Sequence, residues 1–176
     1  MAAGPDPVLH GERVVLRPLA EADVAAILEI LRHAQVRPWW GDYDEKRLRA
    51  DYLDEGSDSA FAIVLGERVA GIVGYWEEDE PDYRHAGMDI AIAADLHGQG
   101  VGAEALVTLG RHLVESRGHH RLVIDPAAAN ERAIRAYEAI GFRRVGVMRK
   151  AERSPGGEWR DALLMDLLAD ELPRPV

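Results

Sequence analysis

The chain has 176 residues, of which 47% are hydrophobic and 30% charged, a composition typical of one soluble globular domain over residues 1–176. It contains no cysteine, which excludes disulfides, thiolate metal sites and a covalent thioester on a cysteine side chain. The formal charge of −10 argues against nucleic acid as a partner and suits a cationic small molecule, although a negative surplus is also a common means of staying in solution.

No apolar run reaches the roughly 18 residues that a membrane span needs. The first 14 residues also lack the apolar core of a secretion signal. We therefore expect a cytoplasmic protein with no membrane partner, acting as a monomer or a homodimer, and we predict no metal site.

The first half of the chain predicts strands interrupted by two helices. Turn residues bound the strands, and apolar residues recur at helical spacing in the first helix. The predicted elements are, in order, a strand over 12–17, a helix over 19–31, a weaker helix over 44–54, and hairpin-paired strands over 61–65 and 69–76. An acidic loop follows at 77–82.

The second half alternates strand and helix before it closes with two strands. Gly141 is typical of a residue that stops a helix. The predicted elements are a strand over 86–93, a helix over 101–116, a strand over 121–124, a helix over 130–140, and strands over 142–148 and 159–167. Together with the early hairpins, this order predicts a mixed α/β sheet with helices on its faces.

A glycine-rich turn follows the strand over 86–93 and opens the next helix. It reads His97-Gly98-Gln99-Gly100-Val101-Gly102-Ala103. At the start of a helix several backbone N–H groups lack an intrahelical acceptor, and the helix dipole adds partial positive charge. The turn therefore predicts a phosphate-binding site.

Two classes of phosphate compound fit such a turn. Residues 98–103 contain G-x-G-x-x-A and Asp125 ends the next strand, an arrangement that resembles a dinucleotide-binding fingerprint. In that fingerprint the first glycine follows the strand directly, whereas residues 94–97 intervene here. A dinucleotide fold also continues through further strand-helix units, but only one helix follows Asp125. The turn more closely resembles an acyl-coenzyme A pyrophosphate motif, and a second motif on the last helix supports that resemblance.

A second motif lies on the last helix. It reads Asn130-Glu131-Arg132-Ala133, then Tyr137-Glu138 and Gly141-Phe142. It resembles the N-x-x-A-x-x-x-Y-E-x-x-G-F pattern of the GNAT superfamily of N-acetyltransferases. The glycine turn resembles their R/Q-x-x-G-x-G/A pyrophosphate motif. His97 stands where that motif has Arg or Gln, which leaves the side-chain contribution at this position open.

The resemblance covers most of the chain, since residues 8–24 also look like the family's first strand and helix. It implies a central, mixed, mostly antiparallel sheet whose parallel middle strands splay apart, with helices on both faces. It implies acetyl-CoA as the cofactor, with pantetheine in the gap between those strands. The implied cofactor-binding residues are Ile90, Ala91, Ile92, His97, Gly98, Gln99, Gly100, Val101, Gly102, Ala103, Asn130, Ala133 and Tyr137.

Asp89 is the candidate general base. It alternates with larger apolar residues along its strand, so this lone acid projects from a face otherwise lined by Gly87, Ala91 and Ala93. An aliphatic amine with a pKa of roughly 10 must lose a proton before it can attack, and a nearby carboxylate can accept that proton. An ion pair of Asp89 with Arg84 or His85 is the alternative.

The resemblance implies two further catalytic groups. Tyr137 matches the tyrosine whose hydroxyl faces the sulfur of CoA and acts as general acid. Backbone N–H groups near Ile90 and Ala91 would polarise the thioester carbonyl. The family's usual route is direct attack by the amine within a ternary complex.

The acceptor follows from a closer resemblance. Trp39-Trp40-Gly41, Gly87-Met88-Asp89 and the run over 125–138 resemble aminoglycoside 6′-N-acetyltransferases, in which acids matching Asp89 and Asp125 bind ammonium groups. The predicted substrate-binding residues are Trp39, Trp40, Asp42, Tyr75, Glu77, Asp89 and Asp125.

Alternatives remain open for several of these assignments. The two tryptophans also fit simple packing, Asp125 before Pro126 also fits a turn, and Asn130 also fits a helix N-cap. Residues 157–165 resemble a broader branch that acetylates protein N-termini or other metabolite amines. A non-catalytic acyl-CoA-binding sensor with the same fold is a further alternative.

Overall fold

The computed structural model describes residues 6–173. Its α-helices are α1 (Val24–Arg32), α2 (Arg37–Trp40), α3 (Glu45–Tyr52), α4 (Val101–Arg111) and α5 (Glu131–Ile140). Its strands are β1 (Leu9–His10), β2 (Val14–Pro18), β3 (Ser59–Leu65), β4 (Arg68–Glu78), β5 (His85–Ile92), β6 (Arg121–Ile124), β7 (Arg143–Arg153) and β8 (Trp159–Leu168). Within the described residues no helix is both long and apolar enough to cross a lipid bilayer.

All eight strands form one sheet in the order β1-β2-β3-β4-β5-β6-β8-β7. Every neighbouring pair is antiparallel except β5 and β6, which run parallel. These two strands pair only at Ala86 with Leu122 and at Gly87 with Val123, after which they diverge. The predicted fold class, with splayed parallel strands in the middle of the sheet, is confirmed.

Several elements differ from the sequence-based prediction, among them the strand predicted over 142–148, which extends to Arg153 as β7. The segment of Trp39 and Trp40, for which no helix or strand is predicted, forms the short helix α2 with a proline in its first turn. The acidic loop begins later than expected, because Glu77 and Glu78 pair with Ala86 and His85 and so extend β4. The helix predicted over 101–116 is α-helical to Arg111 and continues as a π-helical turn over His112–Ser116.

The core lies between the sheet and the helices that pack on it, mainly α1 and α4. Amphipathic α1 buries Val24, Ile27, Leu28, Ile30 and Leu31. It contacts β4 and β5, while α4 contacts β2 and β5. Both helices therefore pack on β5, which parts from β6 after Gly87 and continues to Ile92 without a strand partner on that edge in the part of the chain that the structure describes. That end of the sheet is where a ligand can enter between strands.

Candidate active site

Beyond Gly87, backbone groups on one edge of β5 have no strand partner among the described residues, because the two parallel strands part there. Ala93 N–H donates to Ala70 O over 2.8 Å. Hydrogen-bonded pairs alternate along an antiparallel ladder, so Ala91 also faces β4. The N–H and C=O groups of Ile90 and Ile92 therefore point into the gap. Ile90 O accepts from Trp40 Nε1 over 3.1 Å, and the Ile90 N–H lies on the same edge of the strand.

The glycine turn at the start of α4 is shaped by two left-handed residues. Gly98 and Gly100 have φ angles of 75° and 80°, a backbone conformation that residues with a Cβ atom rarely adopt. The first helical hydrogen bond runs from Glu104 N to Gly100 O over 3.0 Å. The N–H groups of Val101, Gly102 and Ala103 consequently have no acceptor within the helix, an arrangement that suits an anion.

These two features line one cavity of about 250 Å³, which we call the glycine-turn cavity. Its walls come from α2, β5, the turn, α4 and α5. They include Trp39, Trp40, Ile90, Ala91, Ile92, His97, Gly98, Gly100, Gly102, Ala103, Asn130, Arg132, Ala133 and Tyr137. The side chains of Gln99 and Val101 are turned away, since Gln99 donates to Asp95 O over 2.7 Å and Val101 is buried in the core.

Asn130 serves the fold and the cavity together. Its side chain accepts from Ala133 N over 3.3 Å and so caps α5, as the sequence predicted for a helix N-cap. It also lines the glycine-turn cavity.

A second cavity of about 240 Å³ opens on the other side of Tyr137, and we call it the carboxylate cavity. It shares five wall residues with the glycine-turn cavity: Trp39, Trp40, Ile90, Asn130 and Tyr137. Its remaining lining includes Tyr43, Tyr52, Met88, Asp89, Asp125, Pro126 and Glu152. The two cavities therefore meet at a common wall.

Asp89 lies in the carboxylate cavity and is held from two sides. Its Oδ2 accepts from the Tyr52 hydroxyl over 2.9 Å, and its Oδ1 accepts from Gly74 N over 3.1 Å. The alternative ion pair does not form, because Arg84 donates to backbone carbonyls of the segment after α4 and His85 bonds Tyr83 O. Burial raises the pKa of Asp89 to about 6, against the opposing effect of the Tyr52 hydrogen bond. A base with such a pKa is suited to proton transfer near neutral pH.

Tyr137 lies in the wall between the cavities. Its ring packs against Phe142 at a centroid distance of 6.2 Å, and its hydroxyl has no hydrogen-bond partner among residues 6–173. Burial raises the pKa of Tyr137, and the Asp89 carboxylate raises it further. The hydroxyl is therefore protonated at neutral pH and available as a donor.

Two further carboxylates border the carboxylate cavity. Burial raises the pKa of Asp125, and the nearby Glu152 carboxylate raises it further. Glu152 comes from β7, and its Oε1 accepts from Arg160 Nε over 2.9 Å. Arg160 also donates to Pro38 O over 2.5 Å and to Trp39 O over 3.2 Å. This arginine thereby ties the tryptophan helix to the strand that carries Glu152.

Aromatic side chains form the opposite wall of the carboxylate cavity. The Trp40 ring lies 5.9 Å from the Tyr43 ring and 6.4 Å from the Tyr52 ring, measured between centroids. Tyr43 is fixed by a 2.8 Å hydrogen bond to Asp51. The tryptophan pair thus both packs and lines a cavity.

Sequence reasoning did not identify Tyr43, Tyr52 or Glu152 as site residues. On α3, Leu48 and Tyr52 stand four positions apart and predict only a buried helix face. Glu152 lies in an exposed, charged stretch of β7 that carries no motif. Only the pairing of β7 with β8 brings it beside Asp125.

Three predicted substrate residues lie outside both cavities. Asp42 is exposed and paired with Arg37. Tyr75 is buried against Phe61, and its hydroxyl donates to Asp6 over 2.8 Å. Glu77 is paired with Arg117 and His119. Side chains alternate between the two faces along a strand. Those of Tyr75 and Glu77 therefore lie on the face of the sheet opposite to the one on which the Asp89 side chain lies against Gly74.

Comparison with known proteins is consistent with this geometry. The profile of the acetyltransferase (GNAT) domain matches residues 13–143. Aminoglycoside N(6′)-acetyltransferase type 1 of Klebsiella pneumoniae is 29% identical over 155 residues, covering 78% of this chain and 77% of that protein.

Two solved structures carry coenzyme A or its disulfide. Mycobacterium smegmatis RimJ in complex with CoA-disulfide superposes with a TM-score of 0.79 at 25% identity, covering 97% of this chain and 91% of RimJ. The aminoglycoside acetyltransferase AAC(6′)-Ib in complex with coenzyme A has a TM-score of 0.74 at 25% identity, covering 90% of this chain and 96% of that one. A splayed sheet, a glycine turn at the start of α4 and a matching domain profile together place the chain in the GNAT family of acetyltransferases.

Proposed function

We propose that the protein transfers the acetyl group of acetyl-CoA to a primary amine of an aminoglycoside, at the 6′ position, by direct attack within a ternary complex. The observation that supports this most is the shared wall of the two cavities. One cavity offers backbone N–H groups to a phosphate-bearing donor, and the other offers carboxylates to a cation. An acetyl group held at the wall would face both.

The glycine-turn cavity fits acetyl-CoA. Free N–H groups at the start of α4 suit a diphosphate, and glycines at the turn let backbone approach it closely. The apolar walls contributed by Ile92 and Leu106 suit pantetheine. When bound there, acetyl-CoA would supply the activated thioester that the reaction consumes.

The carboxylate cavity supplies the groups that the amine requires. Asp89 accepts a proton from the incoming ammonium group, directly or through water, and leaves a neutral nitrogen. The Ile90 N–H stabilises the charge that develops on the carbonyl oxygen as the new C–N bond forms. Tyr137 donates its proton to the sulfur as the C–S bond breaks, and the second proton that the nitrogen loses on becoming an amide returns to the Tyr137 oxygen, directly or through water. No covalent bond to the chain is needed.

The same cavity suits a substrate with several ammonium groups. Asp89, Asp125 and Glu152 lie on different strands or strand ends, so they offer negative charge at separate points. The aromatic wall of Trp40 and Tyr43 offers a flat apolar surface for a sugar ring or an ammonium group. The similarity to an aminoglycoside N(6′)-acetyltransferase at 29% identity agrees with this assignment.

Release of free thiol from acetyl-CoA with different amines tests the proposal. We expect turnover with kanamycin and tobramycin. Spermidine and a peptide with a free N-terminus are the comparison substrates. Turnover with the peptide alone would assign the protein to N-terminal acetylation. Binding of CoA without thiol release with any amine would assign it to acyl-CoA sensing. Mass spectrometry of the product identifies the acetylated nitrogen.

A further inference from the structure

His97 departs from the Arg or Gln that the pyrophosphate motif has at its first position. The side chain does not point into solvent. Its Nε2 lies 2.9 Å from Ile92 O, and its Nδ1 lies 2.7 Å from an Arg132 guanidinium nitrogen, Nη1. One ring thus joins the end of β5 to the first turn of α5, and both His97 and Arg132 line the glycine-turn cavity.

These two contacts fix the protonation state of the ring. A carbonyl oxygen only accepts, so Nε2 must carry the hydrogen in its bond to Ile92. A guanidinium only donates, so Nδ1 must be the acceptor in its bond to Arg132. His97 is therefore the neutral imidazole with its proton on Nε2. It offers an acceptor and not a positive charge to the phosphate site.

The positive charge at this position comes from Arg132. It lines the glycine-turn cavity, and no carboxylate within residues 6–173 lies at ion-pair distance from it. By contrast, Arg135 on the same helix pairs with Glu131 over 3.2 Å. A guanidinium has five N–H donors, so the contact with His97 leaves others for an oxyanion. Arg132 is thus a cation held at one nitrogen and unneutralised.

We propose that His97 is a positioning residue that holds the Arg132 guanidinium against the diphosphate of the bound acyl-CoA. The pair takes the place of the single Arg or Gln side chain of the motif. His97 itself makes no contact with phosphate, because both of its ring nitrogens are engaged. This inference rests on the proposed binding of acetyl-CoA in the glycine-turn cavity.

Calorimetric binding of three ligands to the purified protein tests the pair. Coenzyme A carries the diphosphate and a 3′-phosphate, dephospho-CoA carries the diphosphate alone, and pantetheine carries no phosphate. We expect Arg132→Met to weaken binding of coenzyme A and dephospho-CoA about tenfold, because one charge-assisted hydrogen bond is lost. Pantetheine should bind within about twofold of the wild type. Arg135→Met is the matched control and should change none of the three.

A double-mutant cycle tests the role of His97. We expect His97→Phe to lower the affinity for coenzyme A about as much as Arg132→Met does. The double variant should bind coenzyme A no more weakly than Arg132→Met alone, because the two residues act as one unit. Unchanged pantetheine binding shows that the His97→Phe protein is folded. In the wild type, 15N NMR should show the His97 proton on Nε2.

Several results would overturn the inference. An unchanged affinity of Arg132→Met for coenzyme A removes Arg132 from the site. An equal loss for pantetheine indicates a general structural effect, and a loss confined to coenzyme A moves Arg132 to the 3′-phosphate. Additive effects in the double variant mean that His97 does not act through Arg132. If the wild-type protein binds no coenzyme A, the proposed function fails as well; if it binds and only the variants disagree, this inference alone fails.

Discussion

The two cavities that meet at Tyr137 are built in different ways. The glycine-turn cavity takes its backbone groups from the end of β5 and the turn, which are nearly continuous in the chain, and side chains of α2, α4 and α5 complete its walls. The carboxylate cavity depends on side chains from α2, α3, β5, the end of β6 and β7. A site made of backbone geometry tolerates many side chains and serves a common ligand. A site made of side chains is where the acceptor is selected.

This contrast predicts that substitutions in the carboxylate cavity change kcat and the KM for the acceptor amine, whereas substitutions at the glycine turn change the affinity for coenzyme A. The largest effect is expected at Asp89. Asp89→Asn removes the proton acceptor and should lower kcat by about a hundredfold or more. The affinity for coenzyme A should not change. Steady-state kinetics and calorimetry measure the two quantities, and turnover equal to that of the wild type would exclude Asp89 as the base.

The pH profile gives an independent test of the same residue. Burial raises the pKa of Asp89 to about 6, and only the deprotonated carboxylate can accept a proton. In the wild type kcat/KM for the amine should therefore fall as pH drops below about 6 and gain this contribution as pH rises through it. The Asp89→Asn protein should lack this limb. The amine titrates equally in both assays, so the difference between the two profiles isolates Asp89.

Tyr137 lies in the wall that the two cavities share. Its substitution should therefore lower the rate of the chemical step and leave the binding of both substrates unchanged. Tyr137→Phe keeps the ring against Phe142 and removes only the hydroxyl. We expect kcat to fall about tenfold or more, with both KM values unchanged, because a proton donor to the leaving sulfur is lost. A raised KM for acetyl-CoA with constant kcat would instead make Tyr137 a binding residue.

Substitution of Gly100, which has a left-handed backbone conformation, tests the role of the glycine turn in coenzyme A binding. Gly100→Ala places a Cβ at a φ of 80° and should destabilise the protein by about 1 kcal/mol. It should also weaken coenzyme A binding about tenfold, since the N–H groups of the turn lose their arrangement. Gly66→Ala, at a φ of 63° in the β3–β4 turn, is the control and should lose stability alone. An equal loss of coenzyme A affinity in both variants would contradict a local effect.

The smallest effect is expected at Glu152. Arg160 already neutralises part of its charge, so Glu152→Gln should raise KM for a polycationic acceptor only about threefold. KM for acetyl-CoA should not change. The exposed Glu158→Gln is the matched control on the same hairpin. A Glu152→Gln protein that discriminates between amines as the wild type does would remove this residue from acceptor binding.

The difference between the cavities also explains what could be predicted from the sequence. The strand of Asp89, the turn from His97 to Ala103 and the helix of Tyr137 follow one another along the chain, so their spacing indicated a donor site. Glu152 and Tyr52 lie far from that run and carry no motif of their own. Asp42, Tyr75 and Glu77 were assigned to the acceptor as acids or aromatics near the motifs, but the structure engages each in a different contact.

Local sequence determined most of the strands and helices and the glycine-rich turn, because these depend on residues close together in the chain. The parallel pairing of β5 and β6 followed only from the resemblance to the family, since it joins segments about 35 residues apart. Tertiary structure alone decided three contacts. The Tyr52 hydroxyl donates to Asp89, Arg160 bonds both Glu152 and the tryptophan helix, and Arg132 donates to His97. Each of these contacts joins residues at least eight positions apart, most of them much farther. Periodicity and short motifs carry no information about which distant side chains meet, since packing and strand pairing fix those distances.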